Sequence, residues 1–316
     1  MHRAKWIFCT VLFLMMSLGT LHAQRAAGWN RPASVPSDYV ITPFGYFHPS
    51  CVREIKQGET LLGDGRIRFA DGTEEANAPF CNFPRYAARG ELLLDSGPLY
   101  ISWSWIEAGQ VSTSSSSYGK LKATWTVPPT PKTNDGQTLF FFPGFMDIDN
   151  TQLIIQPVLG WNDGQSGVGP WNIASWNCCP SGTANYSTPV TVNSGDKILG
   201  TIKSTCKPGN ESCPTWDITT KDVTTDKSTT LSNTPSEGQT FNWAQSGVLE
   251  VYAISKCSDY PPNRSIKFSK VALWDYNFKQ ITDPGWTAEY WVQKGVTKPW
   301  CSYDAKAAPT SVVLTY

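Results

Sequence analysis

Short runs of alternating apolar and polar residues recur along the chain after residue 118. Thr, Val, Ile and aromatic residues dominate them, and turn-forming sequences such as Pro-Pro, Asn-Ser-Gly-Asp and Lys-Pro-Gly-Asn separate them. The runs are KLKATWTVPP, TLFFFPGF, QLIIQPVL, TPVTVNSGDKILGTI, WDITTKD, GVLEVYAIS, IKFSKVALWD and TSVVLTY. Because long helical periodicity is missing, this pattern predicts an all-β fold, an antiparallel β-sandwich of the concanavalin-like jelly-roll type.

The region before residue 100 has a different pattern. Short β-like runs there surround Gly-Asp-Gly and Asp-Gly turns, and a polar run follows at residues 112–117. We expect residues 24–99 to form a small β-rich prosegment or accessory module, closed by a disulfide between Cys51 and Cys81. Residues 100–316 are then expected to form the sandwich domain.

The first 23 residues have the pattern of a secretory signal peptide. Arg3 and Lys5 precede an apolar run, and Leu-His-Ala ends this segment before Gln24. No later stretch approaches the roughly 18 apolar residues that a membrane helix needs. The sequence therefore predicts a secreted protein, extracellular or periplasmic, with no membrane-spanning part and a monomeric state.

The cysteine count agrees with an oxidising compartment. The chain has nine cysteines, and loss of Cys9 with the signal peptide leaves an even number suited to disulfides. Cys206 and Cys213 flank KPGNES and are expected to close a hairpin tip. The vicinal Cys178 and Cys179 are interpreted as disulfide halves rather than metal ligands.

Charge and histidine content exclude several functions. Arg3 and Lys5 leave with the signal, so 24 basic residues face 26 acidic ones without a basic run, and nucleic acid is not an expected partner. His48 is the only histidine after the signal, which excludes a multi-histidine zinc site. A Ser-His-Asp site could use only this one imidazole. We expect neither a metal nor a cofactor.

Two polar residues interrupt apolar strands. Gln156 lies inside LIIQPVL, and Glu250 lies inside GVLEVYAIS, where alternation places it on one face with Val248 and Tyr252. A carboxyl group among such neighbours is expected to have a perturbed pKa, which is a signal of a functional site. Alternation alone leaves a second interpretation, in which both side chains face solvent on an outer sheet surface.

The order of several short motifs gives these two residues a role. From about Trp105 to Tyr316 the pieces are TWTVPP, FPGF, LIIQPV, WNIASW, NSGDKILGTI and GVLE. In this order and spacing the chain resembles the eqolisin-type glutamic peptidases, secreted β-sandwich enzymes with a catalytic glutamine and glutamate. The resemblance implies that Gln156 and Glu250 are the catalytic pair, that activity is highest at acidic pH, and that a protein or peptide is the substrate.

The resemblance also suggests substrate-binding residues. Phe142 stands in place of a family tryptophan, and Trp171 and Ser175 stand where acidic groups line the family's cleft. The candidates for substrate binding are Phe142, Trp171 and Trp176. A looser resemblance extends to the neprosin class of glutamic peptidases, which use two glutamates. Under that analogy Glu289 in WTAEYWVQ is the candidate second carboxylate.

The chemistry is consistent with peptide hydrolysis. Glu250 would activate water as a base and then protonate the leaving amine, while the Gln156 amide would donate to the oxyanion. The chain has 14 tryptophans, and all but Trp6 of the signal peptide remain in the exported protein, which also fits a non-catalytic carbohydrate-binding or lectin-like protein. A glycoside hydrolase is the third alternative, although GVLEVYAIS has no partner acid at the two-residue or four-residue spacing of glucanase sandwiches.

Overall fold

The computed structural model describes residues 31–79, 81–93, 104–113, 116–151, 153–164, 171–292 and 299–316. The predicted signal peptide lies outside these residues. In the described ranges the chain is built of β-strands, with 3-10 helices at Pro49–Cys51, Pro180–Gly182 and Cys257–Asp259. None of the helices described there is long and apolar enough to cross a membrane.

The N-terminal segment, residues 31–93, contains seven short strands. They are β1 (Val40–Thr42), β2 (Gly45–Phe47), β3 (Val52–Ile55), β4 (Thr60–Leu61), β5 (Ile67–Arg68), β6 (Arg85–Tyr86) and β7 (Leu92–Leu93). Strands β1, β2, β6 and β7 form a small antiparallel sheet, and β4 pairs with β5. Strand β3 leaves this segment and joins a sheet of the main domain.

The main domain consists of two stacked sheets. Its strands are β8 (Trp105–Ser112), β9 (Tyr118–Thr126), β10 (Thr138–Met146), β11 (Ile154–Trp161), β12 (Trp171–Cys178), β13 (Ala184–Ser187), β14 (Val190–Thr191), β15 (Lys197–Ser204), β16 (Thr215–Asp222), β17 (Ser228–Pro235), β18 (Trp243–Tyr252), β19 (Ser265–Asp275), β20 (Gln280–Ile281), β21 (Thr287–Tyr290), β22 (Asp304–Ala308) and β23 (Ser311–Thr315). The first sheet has the order β21-β8-β18-β10-β11-β12-β13-β3, with β14 on β12. The second has the order β17-β16-β15-β9-β19-β23-β22, with β20 on β19.

Strand pairing in both sheets is antiparallel except at one edge, where β3 runs parallel to β13 and Val52 stands opposite Ala184. The predicted all-β antiparallel sandwich is therefore confirmed. The N-terminal segment is packed into it, because β3 forms an edge strand of the first sheet.

Two apolar clusters explain the hydrophobic patterns. One fills the space between the two sheets and includes Trp125, Phe141, Leu159 and Leu249. The other lies on the opposite face of the first sheet, where Phe140, Phe142 and Trp176 share a cluster with Tyr46 and Phe47 of the N-terminal segment. The first sheet is thus covered on both faces, which requires strands that are apolar throughout.

The second sheet is covered on one face only. Strands β15 and β16 alternate between buried and partly exposed residues, whereas every residue of β10, β11 and β12 is buried. The period-two signal was therefore clear in the second sheet and weak in the first.

Four disulfides cross-link the described chain. The predicted pairs Cys51–Cys81 and Cys206–Cys213 are confirmed. Cys178 pairs with its neighbour Cys179, and Cys257 pairs with Cys301. Such a density of disulfides is typical of proteins of oxidising compartments.

Candidate functional site

Glu250 is fully buried in the middle of the first sheet. It lies on β18 with Val248 and Tyr252 on the same face, as alternation predicted, and this face belongs to the cluster beneath the N-terminal segment. The interpretation in which Glu250 and Gln156 face solvent is wrong, since both have a relative exposure of 0%. Burial of both sheet faces is the physical reason.

The Glu250 carboxyl group is held by hydrogen bonds. The Tyr252 hydroxyl donates to Oε1 over 2.5 Å, and Trp105 Nε1 donates to Oε2 over 3.2 Å. Burial raises the pKa of Glu250 to about 7, and the hydrogen bonds from Tyr252, Ser104 and Trp105 oppose this rise. A carboxyl group with such a pKa can accept or release a proton near neutral pH, which suits general acid–base chemistry.

Gln156 lies on the same face but has a different environment. Its side-chain Oε1 and Nε2 are buried, and neither has a hydrogen-bond partner among the described residues. The neighbouring strand β10 carries Gly144 at this level, and Gln245 of β18 stands opposite Gly144 from the other side. Gln245 is also fully buried, and its Oε1 has no partner.

The structure does not bring Gln156 and Glu250 together. Strand β10 separates them, and Glu250 stands opposite Phe140, whereas the register places Gln156 level with Gly144. Four residues along a strand correspond to about 13 Å, and two strand spacings to about 10 Å. The register thus separates the two residues, and the catalytic pairing expected from the sequence stays a prediction.

The three candidate substrate-binding residues divide between the two faces. Phe142 lies between the levels of Gln156 and Glu250 on β10. Its ring meets the Trp105 ring edge-on, with 5.8 Å between the ring centroids. Trp176 is directly opposite Gln156 and stacks on Tyr186 at 4.8 Å. Trp171 points the other way, into the core between the sheets, so it is not part of this surface.

Trp171 packs there against Trp161 at 5.0 Å and Phe141 at 6.1 Å. Glu289, the alternative second carboxylate, lies on β21 opposite Ala108 and is partly exposed. Two strand spacings separate it from Glu250, since β8 lies between β21 and β18.

The N-terminal segment covers the candidate face. Tyr46 contacts the ring of Tyr252 edge-on at 5.5 Å, and Tyr252 is the hydrogen-bond donor to Glu250. Val35, Tyr39 and Phe47 belong to the same apolar cluster. This cover contributes to the burial that shifts the pKa of Glu250.

The structure also shows a buried carboxyl group that the sequence analysis missed. Glu107 of β8 is fully buried, and it belongs to the opposite face because its register partner Leu249 lies in the core between the sheets. Burial raises the pKa of Glu107 to about 8, while backbone hydrogen bonds from Thr315 and Asp304 oppose the rise. Alternation in ISWSWIEAGQ would place Glu107 on one face with Trp105, whereas the bulge between the partners Leu249 and Glu250 puts the two on opposite faces.

The described residues contain no cluster of three or more His, Cys, Asp or Glu side chains that could hold a metal ion. Glu250, Gln156 and Tyr252 offer buried carboxyl, amide and phenol groups. The sequence placed Tyr252 on the face of Glu250 without giving it a role, and it did not single out Gln245.

Comparison with known proteins gives distant structural likenesses. No family model and no curated protein matches the sequence. Scytalidoglutamic peptidase with a peptide-based transition-state analogue matches at 15% identity and a TM-score of 0.48, over 67% of this chain and 98% of that chain. SCP-B, a member of the eqolisin family in a complex with the tripeptide Ala-Ile-His, matches at 16% identity and a TM-score of 0.46 with the same coverage.

Aspergilloglutamic peptidase from Aspergillus niger matches at 15% identity and a TM-score of 0.38, over 57% of this chain and 98% of that chain. At these identities and TM-scores the likenesses do not establish that the chain belongs to the eqolisin family. They are similarities between this β-sandwich and the β-sandwiches of glutamic peptidases.

Proposed function

We propose that this protein is a secreted endopeptidase in which Glu250 is the general acid and base. The observation that carries the proposal is the environment of Glu250: a carboxyl group buried in the first sheet and held by hydrogen bonds from Tyr252 and Trp105. The ordered motifs of the sequence support the same proposal. Perturbed carboxyl groups of this kind concentrate at catalytic sites.

The proposed reaction is hydrolysis of a peptide bond. The ionised Glu250 carboxylate takes a proton from water while the water oxygen attacks the carbonyl carbon. The oxyanion that forms needs a hydrogen-bond donor close to Glu250, and the Tyr252 hydroxyl and the Trp105 indole N–H are the nearest protein donors. Protonated Glu250 then gives its proton to the leaving amine as the carbon–nitrogen bond breaks.

The proposed role of Gln156 differs from that of an oxyanion donor. Because it lies about 13 Å along the strand direction from Glu250, we assign it to binding of the substrate chain. Its unpartnered amide offers both a donor and an acceptor to a peptide group.

Residues 24–99 are proposed to act as a prosegment. The described part of this region buries the face that carries Glu250, so it must move before a substrate reaches the carboxyl group. Its departure would lower the pKa of Glu250 towards the ordinary value of 4.5, because burial is the leading cause of the shift. A base with that pKa is ionised at mildly acidic pH, as the proposed acidic activity requires.

The test is hydrolysis of denatured casein between pH 3 and pH 8 by the secreted protein and its Glu250→Gln variant. We expect the variant to lose at least about 100-fold in rate while circular dichroism stays near wild type and the thermal midpoint does not fall. Glu107→Gln is the matched control, because it removes another buried carboxyl group from the opposite face of the same sheet.

Full activity in Glu250→Gln would overturn the proposal. Loss of activity in Glu289→Gln alone would move the site to β21. Cleavage of a β-glucan instead of casein by the wild-type protein would favour the glycoside hydrolase alternative.

A further inference from the structure

A row of glutamines crosses the face of the first sheet that the N-terminal segment covers. The register places its members side by side on eight adjacent strands: Thr287, Gln110, Gln245, Gly144, Gln156, Trp176, Tyr186 and Glu54. Gln245 and Gln156 stand on either side of Gly144. Trp176 and Tyr186, which stack on each other, continue the row beyond Gln156.

The two central glutamines have unmet hydrogen-bonding capacity. Gln156 lacks a partner at both side-chain atoms, and Gln245 lacks one at Oε1, while its Nε2 is 3.5 Å from the Trp243 carbonyl oxygen. Both residues are fully buried. Leaving a buried amide unsatisfied is destabilising, so leucine of similar size would serve a purely structural position better.

Another buried glutamine shows the contrast. Gln137 Oε1 accepts from the Asp135 amide over 2.8 Å, and its Nε2 donates to the carbonyl oxygens of Thr133 and Asp259. That side chain connects loops of the fold. Among the described residues Gln156 has no such contact, and Gln245 has only the one from its Nε2 to the Trp243 carbonyl oxygen, which points to a binding role rather than a structural one.

The chemistry of the two amides identifies the ligand class. A primary amide has a carbonyl acceptor and an NH₂ donor, and the peptide group offers the complementary pair. Gly144 carries no side chain between them, and a Cβ there would lie 3.1 Å from Gln245 Oε1. Ile154 Cδ1 lies at the same 3.1 Å from that Cβ position, so the glycine lets the Gln245 amide lie close over β10. The Trp176 ring beside Gln156 offers an apolar surface for a side chain of the peptide.

We infer that Gln245 and Gln156 form a peptide-backbone subsite separate from the scissile bond. The inference rests on the proposed function. The path from Gln156 diagonally across two strands to Glu250 is about 16 Å long, or about five residues of extended peptide. A substrate must therefore extend about five residues from the cleaved bond to occupy both sites, and shorter peptides contact only Glu250.

The first experiment compares Gln245→Leu with its matched control Gln137→Leu by thermal unfolding of the full chain. The midpoint of Gln245→Leu is expected to equal or exceed that of wild type, because an unsatisfied amide is removed. Gln137→Leu is expected to lower the midpoint by roughly 2–4 °C or more, since it breaks a satisfied network. A fall for Gln245→Leu as large as that for Gln137→Leu would overturn the inference.

The second experiment uses casein-derived decapeptides and the tetrapeptides from their centres as substrates of the secreted protein. Gln245→Leu is expected to raise KM for decapeptides roughly tenfold and to change kcat/KM for tetrapeptides less than about twofold. An equal loss for both lengths, or no loss for decapeptides, would refute a distant subsite.

Peptide binding separates this inference from the proposed function. If wild type cleaves no peptide but its tryptophan fluorescence reports decapeptide binding that Gln245→Leu loses, the proposed function fails and the subsite stands. Cleavage with unaltered KM in Gln245→Leu overturns the subsite alone. Neither binding nor cleavage by wild type overturns both.

Discussion

Replacing Glu107 with glutamine should stabilise the fold at neutral pH. Glu107 Oε2 accepts a hydrogen bond from the Thr315 amide over 2.8 Å, and Oε1 has no partner. Glutamine keeps the size of the side chain and an acceptor for the Thr315 amide. It removes the need to hold either a proton or a buried negative charge beside Tyr260, Tyr303 and Tyr316, whose pKa values the Glu107 charge raises.

The expected magnitude follows from the pKa shift. The pKa of Glu107 is about 8 in the folded chain against an ordinary value of 4.5. Between these values the folded state binds more protons than the unfolded state, so the free energy of unfolding falls as pH rises. From pH 4.5 to pH 7 the fall is on the order of 3 kcal/mol, at about 1.4 kcal/mol per pH unit. Below pH 4.5 both states are protonated, and the cost disappears.

Urea unfolding followed by tryptophan fluorescence at pH 4.5, 6, 7 and 8, with the disulfides intact, tests this prediction. Glu107→Gln should match wild type within about 1 kcal/mol at pH 4.5 and exceed it by about 3 kcal/mol at pH 7, with unchanged m-values. Glu250 titrates in the same range in both proteins, so its contribution cancels in the difference. Glu211→Gln, at an exposed loop position, is the matched control. A difference between Glu107→Gln and wild type that does not vary with pH would refute the reasoning.

Two further predictions concern processing and inhibition. Mass spectrometry of active enzyme should show a new amino terminus near residues 90–118, because the N-terminal segment covers Glu250; an active species that begins at Gln24 would rule out a prosegment. Activity should also survive His48→Ala, since His48 lies in the N-terminal segment, where its ring stacks on Phe83 with 3.7 Å between the ring centroids. It should likewise survive metal chelators and serine-directed or thiol reagents, because the proposed reaction uses the Glu250 carboxyl group. Inactivation by a chelator would show that a different mechanism operates.

The sequence predicted the fold class best where one sheet face is exposed. In β15 and β16, the alternation of apolar and polar residues follows directly from that exposure. The disulfide between Cys206 and Cys213 was also predictable, because it closes a short loop. The position of β3 could not be predicted, because its parallel pairing with β13 joins residues more than 100 positions apart and leaves no local pattern.

The candidate site was predicted in composition but not in geometry. The sequence marked Gln156 and Glu250 as polar interruptions of apolar strands, and the structure places both on one face. Their separation depends on the registers of β10 with β11 and β18, including the bulge between Phe142 and Gly144, which no single strand encodes. The opposite direction of Trp171 could have been predicted, because Trp171 and Trp176 are five residues apart on β12 and side chains of a strand alternate between faces.

The parallel pairing of β3 limits what cleavage alone can achieve. The Cys51–Cys81 disulfide ties β3 to the rest of the N-terminal segment, so a cut after residue 93 leaves the segment bound through its backbone hydrogen bonds with Ala184–Ser187. Dissociation would turn β13 into an open edge strand, with unpaired N–H and C=O groups able to accept another extended chain. Since Tyr186 of that edge is also part of the glutamine row, the newly exposed backbone would lie beside the proposed peptide subsite. A freed segment, a second molecule and a long substrate would then compete for the same edge.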